Sequence, residues 1–214
     1  MKDHIIKLLD DNPIGLHSNV FPELAAENLI LYLKEWRKWN AKINLTAECH
    51  ELSLINKHFY ESLQYSQAIS NTGLLLDIGS GAGFPGIPIK VVRPSLEVVL
   101  IESQRKRANF LKSVIRSIGL SGIRCVHERA EDFSKFQRKY DFVTLRHVLE
   151  PKMSLQLGGK FLRSGGILVL QTSCNDSFAL NFLNSLCFSI VDEIFFQRSS
   201  SAHSKILVLK RNLV

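Results

Sequence analysis

From Leu74 onward the sequence alternates short apolar runs with amphipathic segments, and the first run empties directly into glycines. Leu74-Leu75-Leu76-Asp77-Ile78 has the pattern of a buried strand, and Gly79-Ser80-Gly81-Ala82-Gly83 follows it. The spacing predicts a helix near 85–92, a strand at Val98-Val99-Leu100-Ile101 and a helix near 104–118. Strands at Arg124-Cys125-Val126-His127 and Phe142-Val143-Thr144-Leu145 come next, then a helix near 150–163 and a strand at Ile167-Leu168-Val169-Leu170-Gln171. Strands separated by helices in this order form βαβ units, hence a mostly parallel sheet covered on both faces.

The tail breaks that rhythm. Phe188–Phe196 and Lys205–Leu209 read as two strands joined by the polar stretch Gln197–Ser204, which is long enough for a hairpin and too short for a parallel crossover. A Rossmann-like α/β sheet ending in an antiparallel hairpin is the usual layout of class I methyltransferases, and classical dinucleotide dehydrogenases do not usually end this way. Ahead of the sheet, Leu29, Leu33, Trp36 and Trp39 recur at helical spacing within 22–42, and Leu54, Ile55, Phe59 and Leu63 do so within 50–69. The expected organisation is an N-terminal helical extension over 1–70 and a cofactor-binding domain over 71–214, packed as one unit with no linker between them.

Apolar residues make up 45% of the chain and charged ones 22%, the balance of an ordinary soluble protein. Charges interrupt the opening segment, so no signal-peptide core is expected there, and no apolar stretch approaches the roughly 20 residues of a membrane span. Cys49, Cys125, Cys174 and Cys187 are scattered without a CxxC pair, which argues against a zinc site or a disulfide framework and suits the cytoplasm. They are expected to be small buried apolar residues. The formal net charge of +7 favours an anionic partner such as nucleic acid.

A tight strand-to-helix turn brings backbone N–H groups close to a ligand, and glycine permits it without steric cost. Gly81-Ala82-Gly83-Phe84-Pro85-Gly86 fits the dinucleotide pattern GxGxxG, with Glu102 about 20 residues further on, and by itself that spacing suits NAD. Asp77 just before the glycines suits a ligand carrying an ammonium group instead. Pro85 and Pro88 in the first helical turn remove donors that a pyrophosphate would use. S-adenosylmethionine carries an amino-acid end, a ribose diol and an adenine, and no phosphate. Glu102 closes the second strand, where a carboxylate accepts from both ribose hydroxyls, and Ala130-Glu131 follows the third, where a backbone group and a carboxylate read the adenine edge. The competing reading is that Glu102 and Glu131 cap the helices after them. Acids at three successive strand ends favour S-adenosylmethionine.

With these residues in view, the chain resembles the RsmG (GidB) family, bacterial methyltransferases that make 7-methylguanosine in 16S ribosomal RNA. The markers are Trp39-Asn40 with Asn44-Leu45-Thr46-Ala47, Lys57-His58 leading to Glu61-Ser62, and the run Asp77 to Pro88 with its Pro85-Gly86-Ile87-Pro88 close. Val92-Arg93-Pro94, Glu102-Ser103-Gln104-Arg105-Lys106-Arg107 and Ala130-Glu131 continue the match. The resemblance implies that Gly79, Phe84, Ala130, Glu131 and Arg146 line the cofactor site, beside the turn glycines Gly81 and Gly83. Two positions depart from the family's pattern: Gln171-Thr172 stands where Lys-Gly is usual, and His147 where a small residue commonly follows the arginine.

The implied reaction is methylation of guanine N7, with 16S ribosomal RNA or the small-subunit ribonucleoprotein as partner and the enzyme acting as a monomer. Guanine N7 attacks through an in-plane lone pair, so alignment matters more than a base. Arg146 is the expected catalytic residue, within reach of guanine O6, a phosphate or the cofactor, the bland alternative being a surface ion pair. His58 is expected to pack between the extension and the sheet. No HExxH motif, nucleophile elbow or close Cys/His pair is present, and no metal is expected. The rival readings are a same-fold methyltransferase acting on a small molecule or protein, a non-catalytic RNA-binding protein, and an NAD oxidoreductase.

Overall fold

The computed structural model describes residues 1–11, 20–133, 137–199 and 202–212. Four helical segments precede the sheet: α1 (Lys2–Asp10), α2 (Pro22–Ile43), α3 (Glu51–Leu54) and α4 (Tyr60–Ser66), the last two joined by a π-helical turn over Ile55–Phe59. Pro22 opens α2, where its missing N–H costs nothing, and Asn44 closes it in the left-handed region at φ 50°. The predicted helix over 50–69 is therefore three pieces that stop at Ser66. Arg93 bonds the carbonyls of Ser66 and Ile69 there, a stop signal that lies 27 residues downstream of Ser66.

The sheet comprises β1 (Leu74–Ile78), β2 (Glu97–Glu102), β3 (Ile123–His127), β4 (Tyr140–Leu145), β5 (Leu162–Ser173), β6 (Phe188–Ser199) and β7 (Ala202–Arg211). Its helices are α5 (Gly86–Val92), α6 (Arg105–Ile118), α7 (Pro151–Gly159) and α8 (Leu180–Ser185). The strand order is β3-β2-β1-β4-β5-β7-β6. β1 to β5 run parallel, and β7 is antiparallel to both β5 and β6. The expected fold class is observed, down to the terminal hairpin.

Two expected boundaries differ. The hairpin strands extend to Ser199 and from Ala202, so the polar stretch is mostly strand and its centre, 200–201, lies outside the described residues. The helix expected near 150–163 ends at Gly159, because β5 begins at Leu162 opposite Tyr140 and shifts register before Ile167 pairs with Phe142. The cysteines also differ from expectation: Cys49 is exposed and the other three are only half-buried.

Alternating strand residues feed two cores. Leu75, Val98, Leu100 and Val169 share a core with Tyr32, Leu33 and Trp36 of α2, Leu63 of α4 and Phe59 of the π-helical turn. Leu76, Ile78, Val99, Ile101, Val143 and Leu168 face Leu155 and Leu157 of α7. The helical extension thus shares one core with a sheet face. No helix among the described residues is long and apolar enough to cross a membrane.

Helix α7 sits so close to the sheet that Gly158 admits no side chain. An added Cβ would overlap Leu168 Cδ1 and come within 2.9 Å of Leu145 Cδ1. Gly158→Ala is expected to destabilise the protein by about 1–3 kcal/mol, the usual cost of overpacking, read from urea unfolding.

Candidate cofactor and active site

The glycine turn leaves β1 at the point where chain order reverses, between β2 on one side and β4 on the other. Open α/β sheets bind ligands at such a point, outside the carboxyl ends of the strands. The N–H groups of Gly79 and Ser80 both reach Ile101 O, at 2.9 and 3.0 Å, which anchors the turn on β2. Gly79 has φ +68° and Gly81 φ +56°, left-handed conformations that suit glycine. A Cβ on Gly79 would lie 2.6 Å from Val148, whereas one on Gly81 would meet nothing nearer than 3.8 Å, so Gly81 borders open space.

Two acids brace the turn. Glu102 accepts from Gly81 N at 2.8 Å and from Gln104 N at 2.7 Å, so it serves both the turn and the entry to α6. Asp77 lies beneath the turn, fully buried, and accepts from Thr144 Oγ1 at 2.7 Å and Gly86 N at 3.3 Å. Asp77, read from the sequence as an ammonium contact, has its carboxylate bonded beneath the turn to Thr144 and Gly86. Gly83 is likewise internal, held by space, since a Cβ there would collide with Ile87 and Leu111.

Two cavities meet at Gly79. The first, about 300 Å³, is lined among others by Thr46, Lys57, His58, Gly81, Phe84 and Arg146. The second, about 170 Å³, is lined by Ile101, Ser103, Ala130, Glu131 and Val148 among others. Of the expected residues, Gly79, Gly81, Phe84 and Arg146 border the first and Gly79, Ala130 and Glu131 the second. Glu102 lies between, beside Gly81 and Ser103 and only 4% exposed. Its oxygens retain lone pairs beyond the two backbone bonds, acceptors for the two hydroxyls of a ribose diol. A turn with open space at Gly81, a carboxylate behind it and a second cavity ending at Ala130-Glu131 fit the three parts of S-adenosylmethionine.

The first cavity's far wall comes from the helical extension. Asn40 bonds Thr46 N at 3.0 Å and Glu48 O at 3.3 Å, and Trp36 Nε1 bonds Thr46 Oγ1 at 3.1 Å. The Trp-Asn and Asn-Leu-Thr-Ala signatures therefore shape the loop that borders the cleft. The π-helical turn keeps Ile55 and Phe59 buried while Lys57 and His58 reach the cavity. His58, expected between the extension and the sheet, stacks instead on Phe84 of the glycine turn at 4.9 Å and 18°.

Arg146 is neither exposed nor in a surface pair. It is buried against Glu61, donating from Nε at 3.1 Å and also from Nη2, and Glu61 is fully buried. Arg146 Nη2 lies 2.8 Å from His58 Nδ1, and a guanidinium only donates, so that nitrogen accepts and the ring hydrogen sits on Nε2. The guanidinium carbon is 5.8 Å from the Phe84 ring centroid. Glu61 was not among the expected residues. Its signal was a charge inside 61–66, where every residue is buried.

A sheet in this strand order with a glycine-lined cleft at its switch point defines a Rossmann-like class I methyltransferase. Among solved structures the chain is similar to M. jannaschii TYW2 in complex with AdoMet, with TM-score 0.61 and 14% identity over 78% of this chain and 80% of that one. It is also similar to the putative transferase PH0793 of Pyrococcus horikoshii, with TM-score 0.58 and 15% identity over 70% of this chain and 61% of that one. Residues 25–194 match the GidB family, described as rRNA small subunit methyltransferase G. Curated proteins of that name are 35% identical over 181 residues in Dictyoglomus thermophilum, covering 82% of this chain and 75% of the relative. In Streptococcus pyogenes serotype M1 the identity is 39% over 168 residues, 75% of this chain and 71% of the relative. In Clostridium botulinum it is 38% over 154 residues, 70% of this chain and 64% of the relative. The chain belongs to the GidB family of methyltransferases, and S-adenosylmethionine is its cofactor.

Two measurements test the buried charges. Removing Glu61 leaves Arg146 buried and uncompensated, so Glu61→Ala is expected to cost about 3–5 kcal/mol in chemical denaturation. Burial pushes the Asp77 carboxyl up to about 6 from 3.8, against the opposing effect of hydrogen bonds from Thr144, Ser80 and Gly86. An acid with a raised folded-state pKa holds its proton more tightly when folded. Its contribution is full below pH 4 and lost as pH rises through 6. The stability of wild type relative to Asp77→Asn is therefore expected to fall by about 2 kcal/mol between pH 4 and 7, measured by urea melts across that range.

Proposed function

We propose that the chain transfers the methyl group of S-adenosylmethionine to N7 of a guanine in 16S ribosomal RNA, as a cytoplasmic monomer acting on the RNA or the small-subunit ribonucleoprotein. Membership of the GidB family, with the cleft centred on Gly79, carries this reading. The helical extension, 1–70, supplies one wall of the cleft and 71–214 its floor. Gly79, Gly81, Phe84, Glu102, Ala130 and Glu131 would hold the cofactor. When bound, it supplies an electrophilic methyl on a sulfonium.

The residues of the chain then align rather than activate, because N7 needs no deprotonation. The cleft must tolerate positive charge as it passes to the methylated base. Arg146 alone would oppose that, and the Glu61 carboxylate offsets it. Paired, Arg146 keeps N–H donors at the cleft for the base or cofactor, and it holds His58 against Phe84. Tyr65 donates to Leu145 O at 3.1 Å and so fixes the end of β4 from which Arg146 projects.

The basic surface is distributed unevenly. On α2, Arg37 and Lys38 are engaged by Glu51 and Glu35. Arg105 and Lys106 are exposed at the start of α6, and Arg107 lines the first cavity with Lys57. That cluster at the mouth is where RNA phosphates would be met.

Labelled methyl transfer to 16S RNA and to small-subunit particles, with the modified atom mapped, tests the reading. Incorporation at guanine N7 is expected, and no incorporation with cofactor binding intact would overturn it. Glu102→Gln is expected to weaken S-adenosylmethionine binding by roughly tenfold or more, the scale of a lost charge-assisted hydrogen bond, measured by calorimetry.

A further inference from the structure

Beyond His147 the protein holds a third cavity, about 380 Å³, that the cofactor cleft does not use. It is lined by Leu149, Gln171, Thr172, Ser173 and His203 among others, with His147 on the wall it shares with the first cavity. β4 ends at Leu145 opposite Leu170, while β5 runs on to Ser173 paired with β7, so the space opens above the end of β4. Gln171 is 9% exposed, and both polar atoms of its side-chain amide are buried without a hydrogen-bond partner. Thr172 Oγ1 is in the same state. Adjacent strand positions point to opposite faces, so these two side chains flank the opening from two sides.

An unpaired buried amide is costly, and the strand residues before it, Val169 and Leu170, are apolar. The backbone around it is well fixed: Gln171 pairs with Ile206 of β7, and the Tyr65 hydroxyl donates to Leu145 O at the end of the neighbouring β4. The site thus stores one donor and one acceptor on a rigid edge, next to the mouth where the methyl donor would lie.

We propose that this cavity receives the target purine and that Gln171 pairs with the base's Watson–Crick edge. The inference rests on the methyl-transfer reading above. Attack through N7 leaves O6 and N1–H of guanine free. Gln171 Nε2 donates to O6 and Oε1 accepts from N1–H, which satisfies both orphaned atoms at once, and Thr172 adds a hydroxyl from the other face. His147 then stands between base and cofactor cavities.

The test uses the full chain carrying Gln171→Leu, Gln171→Glu or Thr172→Val. It measures melting temperature, S-adenosylmethionine affinity by calorimetry and steady-state methyl transfer to 16S RNA. Gln171→Leu is expected to melt no lower than wild type, to bind the cofactor as tightly, and to lose roughly 10–100-fold in kcat/KM for RNA, the scale of a lost bidentate base contact. Gln171→Glu keeps the shape and loses the donor, so its activity relative to wild type is expected to rise as pH falls and the carboxyl is protonated. Thr172→Val is expected to give a smaller loss at equal stability. Wild-type kcat/KM in Gln171→Leu, or a lowered melting temperature that accounts for its lost activity, would overturn the assignment while leaving the methyl-transfer reading intact. Wild type that binds S-adenosylmethionine and methylates no guanine would overturn that reading and the assignment with it.

Discussion

The buried contact between Glu61 and Arg146 organises the active end of the molecule. It joins α4 of the helical extension to the residue that follows β4. Neither charge is tolerable there alone. Together they fix Arg146, which fixes His58, which stacks on Phe84 in the turn. The cleft wall is therefore assembled through one chain of contacts. It begins in the extension and ends on the strand-to-helix turn.

A second brace supports the floor. Glu102 and Asp77 both act on the glycine turn, yet from different places: Glu102 beside the cleft and Asp77 underneath it. Carboxylates near the ends of neighbouring strands thus perform two tasks. One carboxylate retains acceptor capacity toward a ligand. The other spends its capacity on Thr144 and Gly86 and holds the turn onto the sheet.

Much of this was legible in the sequence because period and position carry it. Apolar runs at Leu74–Ile78, Val98–Ile101 and Ile167–Leu170 announced parallel strands, and the short link before Lys205 announced the hairpin. Ala130 and Glu131 are placed by following the third strand, while Gly79 and Phe84 come from the family resemblance. What could not be read depends on contacts between distant segments. Asp77 and Glu102 both follow apolar strand runs, and which of them faces the cleft depends on neighbours brought in by the fold. Arg146 could be seen as important, but its partner Glu61 could not, since the pairing is made by packing rather than by local spacing. Gln171 stood out as a departure from the family pattern. That its amide is both buried and unpaired needed the fold.

The distance along the chain between Glu61 and Arg146 has a consequence for synthesis. The two are 85 residues apart, and α4 leaves the ribosome first. At about 5–20 residues per second, the extension is exposed for roughly 4–17 s before its counter-charge is made. During that interval Glu61 has no counter-charge, and α2 and α4 have β1 and β2 to pack on before β4 and β5 are made. A nascent chain cut short before β4 would carry the glycine turn and Glu102 without Arg146, so the buried pair that joins the extension to the sheet closes late.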